Sequence, residues 1–271
     1  MHYKILVLDL DGTLTNNKKE ITENTLLALK RAQQQGLKIV LASGRPTYGV
    51  APIANQLELD RYGGYILSFN GAEIIDWKTK RVLRKDLLDT RYLPYIYRVA
   101  RKRDFTIATY IDNFVVSEDT GNEYVHKMAL HNAMKIRPVD NFLKAIDRPI
   151  SKCLIVGNAE RLALLEKELQ AQLTGKINVY RSEPFFLELV PNGIDKANAL
   201  ATLLYELHIM NEDIVAVGDG FNDLSMIKYA GLGVAMGNAQ PIVKEHANYV
   251  TLSNENDGVV HVIEKFILHT E

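Results

Sequence analysis

Tyr3–Leu14 reads YKILVLDLDGTL, an apolar run that ends in two aspartates one residue apart, followed by Gly12, Thr13 and Leu14. Ile5, Leu6, Val7 and Leu8 lack the polar alternation of a half-exposed strand. This predicts a central parallel strand buried on both faces. Asp9 and Asp11 then lie at its carboxyl end, where open α/β sheets hold their ligands. Alternate strand side chains share a face, so the two aspartates project the same way if the backbone stays extended that far. Two carboxylates aimed at one point repel unless a cation lies between them or one is protonated. A strand running into an ordinary Asp-Gly turn explains the same residues without chemistry.

Working outward, Thr22 is placed to cap a helix reaching about Gln35, with Leu26, Leu27 and Leu29 facing inward. Lys38–Ala42 is a second buried strand that delivers Ser43, Gly44 and Arg45 to the same sheet edge as Asp9. A hydroxyl beside unhindered backbone N–H groups can cradle a phosphate oxygen, although Ser-Gly alone is common turn chemistry. A helix over Thr47–Leu57 and a strand over Tyr65–Ser68 lead to Asn70, Gly71 and Ala72, ahead of a hairpin over Glu73–Leu83. Much later, GIDKA puts Lys196 in the first turn of a helix running to about His208. A lysine there opposes the helix dipole, which either calls for a nearby anion or marks a plain surface residue. The strand Ile214–Val217 ends in GDGFND, where Asp219, Asn222 and Asp223 emerge at a helix N-terminus. Carboxylates gain from the dipole there and can ligate a hard cation, or can form a solvated acidic turn.

DLDGTL, Ser43-Gly44-Arg45, the Lys196 segment and GDGFND, in this order, resemble the four motifs of the haloacid dehalogenase-like phosphohydrolases. The spacing and the closing helix Gly258–His269 are similar to the Cof-type branch, subfamily IIB, which includes sugar phosphatases. The third motif of that family is usually GVSKG, so Asp195 and Ala197 depart from it. The resemblance implies a Mg²⁺-dependent phosphatase in which Asp9 is the nucleophile and Asp11 the general acid and base. It implies Mg²⁺ on Asp9, Asp219 and the backbone carbonyl of Asp11. It places the phosphoryl oxygens on Lys196, the Ser43 hydroxyl and the amides of Leu10 and Gly44, with Asn222 in contact and Asp223 and Arg45 in support. A carboxylate nucleophile is ionised at neutral pH without a partner base. Asp11 must instead be protonated in the first step, which negative neighbours could bring about. The family has a similar Asn-Gly-Ala near the substrate opening, so Asn70 is either a substrate contact or part of a turn.

The segment 84–190 has a different texture. Long helical patterns over Asp89–Arg103 and Ala159–Gln172 alternate with short strands such as Thr106–Ile111, Phe114–Ser117 and Lys152–Val156. That is α+β order. The expected fold is α/β, a Rossmann-like parallel-sheet core (1–83 and 191–271) with an inserted α+β cap domain over 84–190. The resemblance implies that this cap selects substrates, and the loop around Tyr110, Asp112 and Asn113 and the segment Ser182–Leu189 are its candidate specificity elements. Tyr92, Tyr95 and Tyr97 have near-helical spacing and read as an amphipathic helix face rather than a base-stacking surface.

Composition narrows the function further. With 271 residues, 47% of them hydrophobic, the chain can bury a sizeable core. Lys and Arg number 32 and Asp and Glu 33, a formal net charge of −1, so no bulk positive field recruits nucleic acid or a membrane. Cys153, in the apolar run CLIV, reads as a buried thiol, and a single cysteine forms no internal disulfide. A cytoplasmic location is expected, since the first residues are too short and too soon acidic for a signal peptide. The implied partner is a small phosphorylated metabolite, with oligomeric state left open. Two other functions use the same residues: a phosphotransferase or mutase sharing the aspartyl phosphate, and a non-catalytic sugar-phosphate-binding regulator.

Overall fold

The structure, a computed structural model, describes residues 2–269. The chain divides into two compact units, one from residues 1–84 and 195–271, the other from Lys85–Ile194. The first begins with strands β1 (Ile5–Leu8), β2 (Lys38–Ala42), β3 (Tyr65–Ser68), β4 (Glu73–Asp76) and β5 (Arg81–Lys85). The second contains β6 (Thr106–Ile111), β7 (Phe114–Ser117), β8 (Lys135–Pro138), β9 (Cys153–Val156), β10 (Ile177–Glu183) and β11 (Phe186–Pro191). The chain then adds β12 (Ile214–Gly218), β13 (Leu232–Ala235) and β14 (Tyr249–Val250) to the first unit.

The first unit is built on an eight-stranded sheet in the order β14-β13-β12-β1-β2-β3-β4-β5. β1 pairs in parallel with both β2 and β12, which makes it the central strand. Leu6 and Leu8 pack into one apolar cluster with Ile39 and Leu41, and Ile5 and Val7 into another with Val40 and Ala42. Because both faces are buried, every position of β1 must be apolar. The carboxyl ends of β1, β2 and β12 therefore lie side by side and carry Asp9, Ser43 and Asp219. The helix Glu23–Gln34 is capped by Thr22, whose hydroxyl accepts from the Thr25 amide at 3.2 Å. Its buried face runs through Thr25, Ala28, Leu29, Ala32 and Gln33. Leu27, expected to face inward, is 50% exposed because it lies out of phase with that row.

The second unit is a six-stranded sheet in the order β10-β11-β9-β6-β7-β8, antiparallel except for the β7–β8 pair. It begins at Lys85 and ends at Ile194, against expected limits of 84 and 190. The later end follows from β11, whose Pro191 still pairs with Ile177. The helix expected over Asp89–Arg103 is a 3₁₀ turn at Thr90–Tyr92 followed by an α-helix at Leu93–Arg101. Pro94 sits in the first turn of that helix, where its missing N–H costs no hydrogen bond. Cys153 is buried within β9, and burial pushes its thiol well above the ordinary range. Among the described residues, no helix is long and apolar enough to cross a membrane.

Candidate active site

β1 stops at Leu8, and the chain turns at once. The amides of Thr13 and Thr15 donate to the Leu10 carbonyl, and the Leu14 amide donates to that of Asp9. The backbone does not stay extended beyond Leu8, so the condition for the two aspartates to share a strand face is not met. Asp9 is 6% exposed and points at the buried amine of Lys196. Asp11 turns toward cations instead.

Lys196 opens the helix Lys196–Leu207, whose N-cap is Asp195, accepting from the Asn198 amide at 2.9 Å. Its Nζ donates to Asp9 Oδ1 at 2.6 Å, to Asp223 Oδ1 at 2.6 Å and to the Ala42 carbonyl at 2.7 Å. The anions that justify a lysine in this first turn are thus two carboxylates of the protein itself. Burial disfavours its charge, but Asp223 and Asp9 outweigh that and hold the amine above its ordinary range. The other Asp223 oxygen accepts from the amides of Asp219, at 3.0 Å, and Gly220, at 2.9 Å. With both oxygens engaged, Asp223 braces the β12 loop and the lysine.

Asp219 is partly buried, and its Oδ1 accepts from the Thr13 hydroxyl at 3.1 Å. Burial, reinforced by Asp223, pushes it up to about 6. Burial and then Asp223 push Asp9 well above the usual carboxylate range, with Lys196 pulling the other way. Oxygens of Asp9, Asp219 and Asp223 lie within 4.8 Å of one another. One lysine offsets one of these three charges, and a surplus negative charge held in low dielectric favours either protons or a cation. Hard oxygen donors in this number suit a hard divalent ion. A Cβ on Gly12, at φ +84°, would fall 2.4 Å from Asp219 Oδ2, so only glycine lets the turn approach that carboxylate.

Asp11 is held by Arg45, which donates from Nε to Oδ2 at 2.7 Å and from Nη2 to Oδ1 at 2.5 Å, and by Lys19 at 2.7 Å. Two cations thus grip Asp11, and its charge also reaches Asp219.

Ser43 is buried, and its Oγ accepts from the Arg45 amide at 3.1 Å. Phe69 and Asn70 both adopt positive φ, near +53° and +57°. Their amides donate to the carbonyls of Arg45 and Ser43, tying this turn to the loop after β2. Asn222 Nδ2 donates to Asn70 Oδ1 at 3.1 Å, and a Cβ on Gly44 would sit 3.3 Å from the Asn70 amide. The carboxyl ends of β1, β2, β3 and β12 thereby converge, with Asn70 reaching both Asn222 and Gly44. Leu10 is buried, with its carbonyl inside the turn. Sequence reasoning missed Thr13 and Lys19. Thr13 stood in view within DGTL, whereas Lys19 lay in a polar loop with nothing to single it out.

The chain matches the sequence profile of haloacid dehalogenase-like hydrolases over residues 6–263. It belongs to that family. A haloacid dehalogenase-like hydrolase from Bacteroides thetaiotaomicron is 52% identical in sequence and superposes with a TM-score of 0.94, covering 97% of this chain and 99% of its own. The 5-amino-6-(5-phospho-D-ribitylamino)uracil phosphatase YcsE of Bacillus subtilis is 32% identical over 98% of this chain and 96% of its own. BT4131, described as a subclass IIB sugar phosphatase, is 25% identical with a TM-score of 0.82 over 97% of this chain and 98% of its own. The family enzyme so identified has the mixed α/β core with parallel strands that the sequence predicts.

Proposed function

We propose that this hydrolase is a Mg²⁺-dependent phosphatase of small phosphorylated metabolites, sugar phosphates first among them, working through an aspartyl phosphate on Asp9. The observation that carries the reading is the buried cluster in which a single lysine, Lys196, faces Asp9 and Asp223 with Asp219 beside them. The named activities of YcsE and BT4131, both on phosphorylated small molecules, point the same way.

Asp9, Asp219 and the backbone carbonyl of Asp11 would hold Mg²⁺, which supplies positive charge against the phosphate dianion. Asp9 attacks phosphorus, forming an O–P bond as the bond to the leaving alcohol breaks. Asp11 gives that oxygen its proton, then takes one from the water that displaces phosphate from Asp9. The Ser43 hydroxyl, the amides of Leu10 and Gly44 and the Asn222 amide would hold the phosphoryl oxygens, with Lys196, whose amine bonds Asp9, Asp223 and the Ala42 carbonyl, adding its positive charge beside them. Arg45 holds Asp11 until substrate enters. The inserted unit is assigned the choice of substrate.

Phosphate release from a panel of phosphorylated sugars, nucleotides, pyridoxal phosphate and an aryl phosphate, with Mg²⁺ or with chelator, tests this. The expected outcome is release that chelator abolishes, strongest on a sugar phosphate. Transfer to an added sugar in place of release would make the protein a phosphotransferase. Binding without turnover would make it a regulator.

A further inference from the structure

The turn that carries Asp11 and the strand end that carries Asp219 are joined by a segment far away in sequence. Residues 236–240 follow β13, and the Gln240 amide donates to the Asp219 carbonyl at 3.1 Å. Two residues earlier, Asn238 Nδ2 donates to the Gly12 carbonyl at 2.8 Å. One short loop thus bonds the backbone of both ligand-bearing elements. Asn238 Oδ1 in turn accepts from the Asn254 amide at 3.0 Å, and Asn254 Nδ2 donates to the Thr15 carbonyl at 3.0 Å. Asn254 is buried. The two side chains therefore clip the turn at Gly12 and Thr15, on either side of Thr13, whose hydroxyl bonds Asp219.

Resting on the phosphatase reading, we propose that Asn238 and Asn254 are positioning residues that set the separation of the Asp9–Asp11 turn from Asp219, and so the affinity of the site for Mg²⁺. An asparagine amide suits the task because it donates and accepts at once without adding charge to an already negative site. The close approach of Gly12 to Asp219 makes the arrangement sensitive, since a small drift of the turn moves Thr13 off its carboxylate. Groups that orient metal ligands typically contribute about 10- to 100-fold in metal affinity or activity.

The test is calorimetric titration of Mg²⁺ into the full chain at pH 7.5 for wild type, Asn238→Ala, Asn254→Ala, Thr13→Val and Asn238→Ala/Thr13→Val. Asn24→Ala, which removes only a bond to Asp257, is the control. Asn238→Ala should weaken Mg²⁺ by about 10-fold or more. Its activity at low Mg²⁺ should fall and be recovered by raising Mg²⁺, with the KM for substrate near wild type. The loss should shrink in the Thr13→Val background, because the bracket acts through that hydroxyl. Asn238 is exposed, so its variant remains informative if Asn254→Ala fails to fold. Mg²⁺ affinity within twofold of wild type in Asn238→Ala overturns the proposal, whatever the melting temperature does, and so does wild type that binds no Mg²⁺. Because binding is read without turnover, a protein that binds Mg²⁺ but releases no phosphate would sink the phosphatase reading and leave the bracket to its own isotherms.

Discussion

Each compact unit buries a lysine against carboxylate, and the two sites differ in charge balance. In the second unit Lys152 Nζ donates to both oxygens of Glu188, at 3.1 and 3.0 Å, with the Tyr180 hydroxyl donating to Glu188 at 3.3 Å. One cation meets one anion. In the first unit Lys196 meets Asp9 and Asp223 with Asp219 close by, three carboxylates to one amine. The side chains of both lysines are almost fully buried, at 4% and 0% exposure. Burial of a charged pair therefore does not distinguish a structural site from a chemical one. The uncompensated remainder does, because it must be met by a proton, a cation or a substrate.

Four experiments break or sharpen this contrast. Lys196→Met should cost on the order of 10²-fold or more in kcat, as expected for removing a charge that holds the transferring group. Lys152→Met should leave kcat within a few-fold but lower unfolding free energy by about 3–5 kcal/mol, since Glu188 is left buried and unpaired. Denaturant melts beside initial rates separate the two, and equal losses of activity would erase the distinction. The double variant Lys152→Met/Glu188→Leu should regain most of that stability, because a balanced pair can be replaced by apolar side chains of similar volume. Pairing Lys196→Met with Asp9→Leu should restore no activity at all.

The pH dependence of Mg²⁺ stabilisation is a smaller effect. Asp219 is raised in the folded state to about 6 from 3.8. A carboxyl raised in this way favours the metal-free fold below pH about 4 and loses that contribution as pH rises through about 6. Mg²⁺ takes the opposite side, binding the ionised form. The rise in melting temperature on adding Mg²⁺ should thus be full at pH 7.5 and decline below pH about 6, and a pH-independent rise would contradict the charge surplus. Smallest of all, Tyr180→Phe removes one hydroxyl from Glu188 and should cost about 0.5–1.5 kcal/mol in denaturant melts with no change in rate.

Much of the first unit was legible because its signals are local. Four unbroken apolar residues read as a doubly buried strand, and the residues at the ends of β1, β2 and β12 follow from being neighbours in one parallel sheet. The lysine of the first helical turn was legible as a residue in need of an anion. What stayed hidden depends on contacts between loops. That Asp11 meets the Arg45 guanidinium follows from where the backbone turns after Leu8, which no periodicity encodes. Asn238 and Asn254 look like ordinary loop residues until β13 and β14 bring them to a turn more than two hundred residues away. In the second unit, SEPFFLEL read as one specificity element, yet it divides by position. Phe185, near the hairpin tip, stacks on Tyr124, while Glu188 is inside the sheet, bound to Lys152. Asp112 forms an ion pair with Arg148 at 2.7 Å, a pairing across 36 residues that its polar loop gave no sign of.

The most direct test of the charge-surplus site is the rate of phosphate release from a sugar phosphate by wild type and Asp9→Asn, each with Mg²⁺ and with chelator. Wild type should turn over only with Mg²⁺, and a folded Asp9→Asn should lose on the order of 10³-fold or more, as removal of a nucleophile does. Turnover by Asp9→Asn near the wild-type rate, or wild-type turnover undiminished by chelator, would show that the cluster around Lys196 is not where the phosphoryl group is taken.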